Sequence, residues 1–198
     1  QHLMSRFARH SRVFFFEEPV YEDQTLQLRC CICPNSGVRV LTPVLPCGTP
    51  SEKAIEFQQS MLEGMLREHG IEDFVAWYYT PMSLNFTGSI HPSLTVYDCM
   101  DELSAFAGAP PAMTRNEQIL FERADLVFTG GRSLYESKRS KHSAVHLFPS
   151  SVDVHHFAKA LTVNEEPPDQ RSIPHPRLGF IGVIDERMDS KLLTHLVE

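Results

Sequence analysis

The feature that most constrains this chain is an alternation between Phe74 and Phe148 of short apolar runs with helix-periodic segments. Residues 74–79, 94–97, 126–128 and 144–148 have strand length and composition, while 114–123 and 133–140 have helical spacing. Parallel strands cannot be joined by a tight turn, and the crossovers they need are usually helices. The pattern therefore predicts an α/β domain built on a Rossmann-like parallel sheet with helices on both faces. Thr114 with Glu117, and Ser133 with Glu136, show capping-box spacing, in which a hydroxyl caps the helix and a carboxylate three residues on answers it.

Upstream, residues 1–9 place Leu3, Met4, Phe7 and Ala8 on one helical face. Val13, Phe14, Phe15 and Phe16 then form an apolar run that predicts a strand buried on both faces. Leu26, Leu28, Cys30 and Ile32 alternate with mostly polar neighbours, and after Pro34-Asn35-Ser36-Gly37 the residues 38–41 are apolar again, which predicts a hairpin. Thr49-Pro50-Ser51-Glu52 is a helix start with Thr49 as N-cap, and the helix is expected to run to Gly70. Its stripe of Ile55, Met61, Leu62, Met65 and Leu66 forms the buried face. Residues 159–176 are rich in proline and charge and lack periodicity, as an exposed linker does. Leu178-Gly179-Phe180-Ile181-Gly182 then reads as a strand entering a glycine turn, with a helix over 189–198. The expected organisation is a first domain over 1–158, a linker over 159–176 and the opening strand and helix of a second Rossmann-like domain over 177–198.

The net charge of −7 over 198 residues argues against a nucleic-acid reader, which needs a concentrated basic face. No run approaches the roughly 20 apolar residues of a spanning helix, and the first residues lack a secretory signal. Five unevenly spaced cysteines suit reduced thiols, so the expected compartment is the cytoplasm. Cys30, Cys31 and Cys33 with a histidine could suggest a metal set, a reading disfavoured because adjacent strand residues point to opposite faces and no second spaced pair completes a zinc set.

Several segments resemble GT-B glycosyltransferases of the bacterial cell-surface polysaccharide type, glucuronosyltransferase-like and family 4-like. Residues 1–8, Gln-His-Leu-Met-Ser-Arg-Phe-Ala, look like that group's first helix, which a strand and a glycine-containing loop normally precede. Tyr97-Asp98-Cys99-Met100-Asp101-Glu102-Leu103 resembles a strand-end motif whose aspartate acts as base, and Asp101 falls on that position. Ala124-Asp125-Leu126-Val127-Phe128-Thr129, followed by Ser133-Leu134, resembles the strand and helix start that face the cleft. Pro149-Ser150-Ser151-Val152-Asp153 through Phe157 is similar to the segment leading into the interdomain linker, with Ser150-Ser151 in place of Asn-Gly. Residues 181–189 resemble the opening of the donor domain. The resemblance implies a hexosyltransferase that takes a nucleoside diphosphate sugar such as a UDP-sugar as donor and a glycan or lipid-linked acceptor. It implies no cofactor and no obligatory metal, and it places Gly182 and Arg187 near the donor.

Glycosyl transfer with inversion needs a base for the acceptor hydroxyl. Asp101 is the candidate, since it follows the carboxyl end of a predicted parallel strand, where open α/β sheets bind ligands. Asp98 and Glu102 stand beside it as acceptor contacts; alternatively one of these aspartates caps the next helix. Gly130, Gly131 and Ser133 lie at a strand-to-helix turn that either receives a hydroxyl or anion or is an ordinary cap by Ser133. Tyr78, Tyr79 and Thr80 follow another strand end and either contact an acceptor sugar or pack the rim. Arg132, Lys138, Arg139, Lys141 and His142 form a basic cluster, either a solvated helix face or a contact with the inner membrane surface. A non-catalytic sugar-binding or assembly subunit is the alternative to an enzyme. A dinucleotide oxidoreductase is disfavoured because no G-x-G-x-x-G follows any predicted strand.

Overall fold

The alternating run over 27–32 finds its partner across a tight turn. In the computed structural model, which describes residues 2–162, 165–184 and 188–197, α1 (His2–Phe7) leads into β1 (Phe14–Phe16), β2 (Val20–Glu22), β3 (Gln27–Ile32) and β4 (Arg39–Pro46). The expected hairpin forms: β3 and β4 pair antiparallel, with Cys30 opposite Leu41. Gly37, at φ +74°, donates its N–H to the Cys33 carbonyl at 2.8 Å, a backbone conformation that favours glycine. β1 and β2 lie end to end along the other edge of β4, both parallel to it. Only β4 is deeply buried, through Leu41, Val44 and Leu45. β1 was expected to be buried on both faces, yet its three phenylalanines are half-exposed, because its outer edge borders a cavity rather than another strand.

α2 (Ser51–Glu68) carries the chain to the second sheet and buries Ala54, Gln58, Leu62 and Met65. Thr49 does not cap it. Its hydroxyl donates to the Pro46 carbonyl at 2.6 Å, and Pro50 occupies the cap position with no side-chain bond.

The second sheet consists of β5 (Val75–Tyr78), β6 (Leu94–Cys99), β7 (Leu126–Thr129) and β8 (Val145–Leu147), all parallel and in chain order. α3 (Ala112–Arg123) links β6 to β7, and α4 (Arg132–Lys138) links β7 to β8. This is the α/β parallel architecture read from the sequence. Leu120 and Phe121 of α3 pack with Ala76, Tyr78, Tyr97, Cys99 and Val127 to form the core. Both expected capping boxes fail: α3 starts at Ala112 and α4 at Arg132, so Thr114 and Ser133 already lie inside the first turn.

A cavity of about 1370 Å³ lies between the sheets, lined along its length by residues 11–19 and 73–80. The space is open to solvent along part of its surface.

The chain divides into two compact units, 1–151 and 152–198. In the second, α5 (Val154–Phe157) is capped by the Asp153 carboxylate, which accepts from the His156 N–H at 3.1 Å. Arg177 is ion-paired with Glu166, and α6 (Ser190–Val197) has Asp189 at its start, accepting from the Leu192 N–H at 3.0 Å. The helix expected over 189–198 is therefore present. The strand expected over 178–182 is not: the segment is irregular and exposed, since a strand exists only when a neighbour takes its main-chain bonds and no described segment does so. No helix among the described residues is long and apolar enough to cross a membrane.

Candidate functional site

The second sheet delivers three chain turns to its carboxyl edge, where parallel sheets bind ligands. β6 ends at Cys99 and opens into Met100-Asp101-Glu102, β7 ends at Thr129 and opens into Gly130-Gly131, and β5 opens into Tyr79-Thr80. The β6 and β7 turns are held together. Gly130 donates its N–H to the Cys99 carbonyl at 3.0 Å, and the Ser150 N–H donates to the Gly130 carbonyl at 3.1 Å. A Cβ on Gly130 would stand 3.0 Å from the Met100 carbonyl oxygen and 3.3 Å from its Cα, so a larger residue would press the Met100 backbone away by a few tenths of an ångström. A Cβ on Gly131 would meet open space.

Asp101 is exposed on this turn, and its Oδ1 accepts from the Glu102 N–H at 2.9 Å. No cation pairs with it among the described residues. Cys99 donates its thiol to the Asp101 carbonyl at 3.6 Å, a second tie between strand and turn. Asp98 points to the opposite face of β6 from Tyr97 and Cys99, as strand alternation requires. It is half-buried, and Trp77 donates its indole N–H to Asp98 Oδ2 at 3.1 Å. Burial pushes the Asp98 carboxyl above its usual range, and the indole hydrogen bond only partly offsets this. Tyr79 is half-buried, and burial together with the Asp98 charge pushes its hydroxyl up to about 12, leaving it a hydrogen-bond donor at neutral pH. Tyr78, by contrast, belongs to the core and donates to the Thr87 hydroxyl at 3.0 Å. Thr80 caps the short 3₁₀ turn Pro81–Asn85 by accepting from the Met82 N–H.

Beneath the Asp101 turn lies a buried ion network. Lys138, at the end of α4, is 1% exposed. Its ammonium donates to Glu102 Oε1 at 2.8 Å and to both Glu117 oxygens at 2.9 Å. The Tyr97 hydroxyl donates to Glu117 Oε1 at 3.1 Å, and the Ser104 hydroxyl to Glu102 Oε1 at 3.0 Å. Burial alone would lower the Lys138 pKa, but hydrogen bonds and charges from Glu102 and Glu117 outweigh it and hold the pKa above the ordinary value. Burial would likewise raise Glu102; Lys138, Ser104 and Lys141 overcome it and hold that carboxyl below its usual range. The residue next to Asp101 is thus anchored through α4 to α3.

The basic cluster read from the sequence is accordingly not a uniform solvated face. Lys138 points inward, Arg139 pairs with Glu136 at 3.0 Å, and Lys141 lies 3.9 Å from Glu117. Ser133 is exposed in the first turn of α4, with Gly131 as the N-cap residue and no side-chain cap. Gly182 lies in the exposed irregular segment of the second unit, and Arg187 lies outside the described residues. Among the described residues no group of three His, Cys, Asp or Glu could hold a metal ion. The structure thus gathers Asp98, Asp101, Glu102, Tyr79, Gly130 and Gly131 at the ends of β5, β6 and β7.

Lys138 and Glu117 are the members that sequence reasoning missed. Lys138 lies four residues after Leu134, which packs on the core, and Glu117 sits between Met113 and Leu120 on the apolar stripe of α3. A charge on an apolar stripe was the available signal.

No protein-family model matches this sequence, and no curated protein is significantly similar to it.

Proposed function

We propose that the chain is the acceptor-side part of a glycosyltransferase that moves a sugar from a nucleoside diphosphate to a hydroxyl of a glycan or lipid-linked acceptor, in cell-surface polysaccharide synthesis. The observation that carries this reading is an exposed carboxylate, with no cationic partner among the described residues, at the carboxyl end of a parallel strand, on a turn fixed from below by a buried lysine. Asp101 takes the proton of the acceptor hydroxyl, the acceptor oxygen bonds to the anomeric carbon of the donor, and the bond from that carbon to the diphosphate breaks. Fixing the base matters because a misplacement of about 1 Å costs roughly a hundredfold in rate. Tyr79, protonated at neutral pH, serves as a donor to the acceptor sugar, and Asp98 as a hydrogen-bonding partner beside it. Gly182 and Arg187 contribute to the donor side.

The test is a screen of nucleoside diphosphate sugars for thermal stabilisation of the full-length protein, followed by a transfer assay with the stabilising donor on that protein and on its Asp101→Asn variant. Loss of transfer with donor stabilisation retained supports the assignment. Unchanged turnover removes Asp101 from the mechanism, and failure of every donor to stabilise the protein favours a non-catalytic sugar-binding or assembly subunit.

A further inference from the structure

Three carboxylates stand at the carboxyl end of β6, and their surroundings differ. Asp98 accepts from the Trp77 indole at 3.1 Å, and Asp101 is exposed with no cation beside it among the described residues. Glu102 is bound on every side. Its N–H donates to Asp101 Oδ1 at 2.9 Å, and its carbonyl accepts from the Ala105 N–H at 2.9 Å at the start of the short 3₁₀ turn Leu103–Ala105. Its Oε1 accepts from Lys138 Nζ at 2.8 Å and from the Ser104 hydroxyl at 3.0 Å. Turning this carboxylate toward a sugar hydroxyl would take a partner from an ammonium that is 1% exposed, and buried charges are costly to leave short of partners.

The same bonds decide which atom of Asp101 is left for chemistry. The last torsion of an aspartate side chain is broad, so an unheld carboxylate presents either oxygen. The Glu102 N–H holds Oδ1, which leaves Oδ2 as the oxygen without a hydrogen bond among the described residues. Behind Glu102, Lys138 donates to both oxygens of Glu117 at 2.9 Å, and Glu117 accepts from the Tyr97 hydroxyl at 3.1 Å. The tie therefore runs from the Asp101 turn through α4 and α3 and back to β6. Charge-assisted hydrogen bonds are roughly twice as strong as neutral ones, and in a buried chain they polarise one another. A turn held this way keeps its place when an acceptor enters.

We propose that Glu102 is a positioning residue rather than an acceptor contact: its N–H fixes Asp101 Oδ1 and leaves Oδ2 to take the proton of the acceptor hydroxyl, while its carboxylate ties the turn through Lys138 to Glu117. The inference rests on Asp101 being the base. The experiment is transfer kinetics on the full-length protein, with rates expressed per folded molecule, for the parent, Glu102→Ala and Glu102→Gln. Glu102→Ala should lower kcat by about a hundredfold with the acceptor KM within about twofold of the parent, because misplacing a base slows the chemical step without loosening binding. Glu102→Gln keeps an oxygen within reach of Lys138 and should lower kcat by no more than about tenfold. A raised acceptor KM at unchanged kcat makes Glu102 an acceptor contact and overturns the proposal, as do equal losses in the two variants or a parental kcat in Glu102→Ala. Amide exchange gives a readout that needs no transfer: corrected for intrinsic rate, the amide of residue 102 should exchange about tenfold faster in Glu102→Ala than in the parent. A parent protein that transfers no sugar sinks the base and the proposal with it, whereas equal exchange with transfer intact sinks the tie alone.

Discussion

The two sheets of the first unit are built on different economies of burial. In the first, one strand is deeply buried: β4 supplies Leu41, Val44 and Leu45, while β1, β2 and β3 have no fully buried residue. In the second, burial is shared by Ala76 and Tyr78 of β5, Val96, Tyr97 and Cys99 of β6, and Val127 and Thr129 of β7, and a charged network sits among them. The difference shows where each sheet is vulnerable. The first should fail through one strand, and the second through the residues that tie its strands and helices together.

The largest effect should come from breaking that tie. Lys138→Met removes the buried ammonium from Glu117, leaving only the more distant Lys141 at 3.9 Å, and should cost about 3–5 kcal/mol in urea unfolding. A loss under about 1 kcal/mol, as for an exposed pair, would contradict the buried geometry. In the first sheet Leu45→Ala should cost about 2–5 kcal/mol, whereas Ile32→Thr on β3, where Ile32 is 56% exposed, should stay within about 0.5 kcal/mol. Similar losses at the two positions would remove the contrast between a buried strand and its exposed neighbour.

Gly130→Ala pushes a Cβ against the Met100 carbonyl and should cost about 1–3 kcal/mol while displacing the Asp101 turn. Gly131→Ala should be nearly silent, and transfer assays on the two variants would separate them. The smallest effect is the pH dependence. Glu102 has a depressed pKa in the folded state, so its contribution is complete above the ordinary carboxylate range and is lost as pH falls through the folded value. Lys138 has a raised pKa, so its contribution is complete below the ordinary lysine value and is lost as pH rises through the folded one. Stability measured across pH should therefore form a plateau with an acid and an alkaline limb, and Glu102→Gln should flatten the acid limb.

Much of the second sheet was legible because its signals are local. An apolar run of strand length, a helix-periodic segment and another run fix β6, α3 and β7 within a residue or two, and the turn residues place Asp101 and Gly130 at the same edge. The network under them was not legible. Lys138 reads as one member of a basic cluster, and Glu117 as half of a capping box, because their partners lie 21 residues apart in sequence and meet only once α3 and α4 dock. The cap reading failed for a physical reason: both helices begin before the hydroxyl that was to cap them. Residues 178–182 are as apolar as β7 yet form no strand, since apolar content makes a strand possible and only a bonded neighbour makes it real. The space between β1 and β5 likewise depends on nonlocal pairing that no sequence window contains.

The measurement closest to the central claim reads sugar transfer and melting temperature together on Asp101→Asn. With the turn still held through Glu102 and Lys138, the melting temperature should stay within a degree or two of the parent while transfer falls by about a hundredfold or more. Transfer at the parental rate, or a loss of transfer that only tracks a collapse in melting temperature, would contradict the assignment of Asp101 as the base.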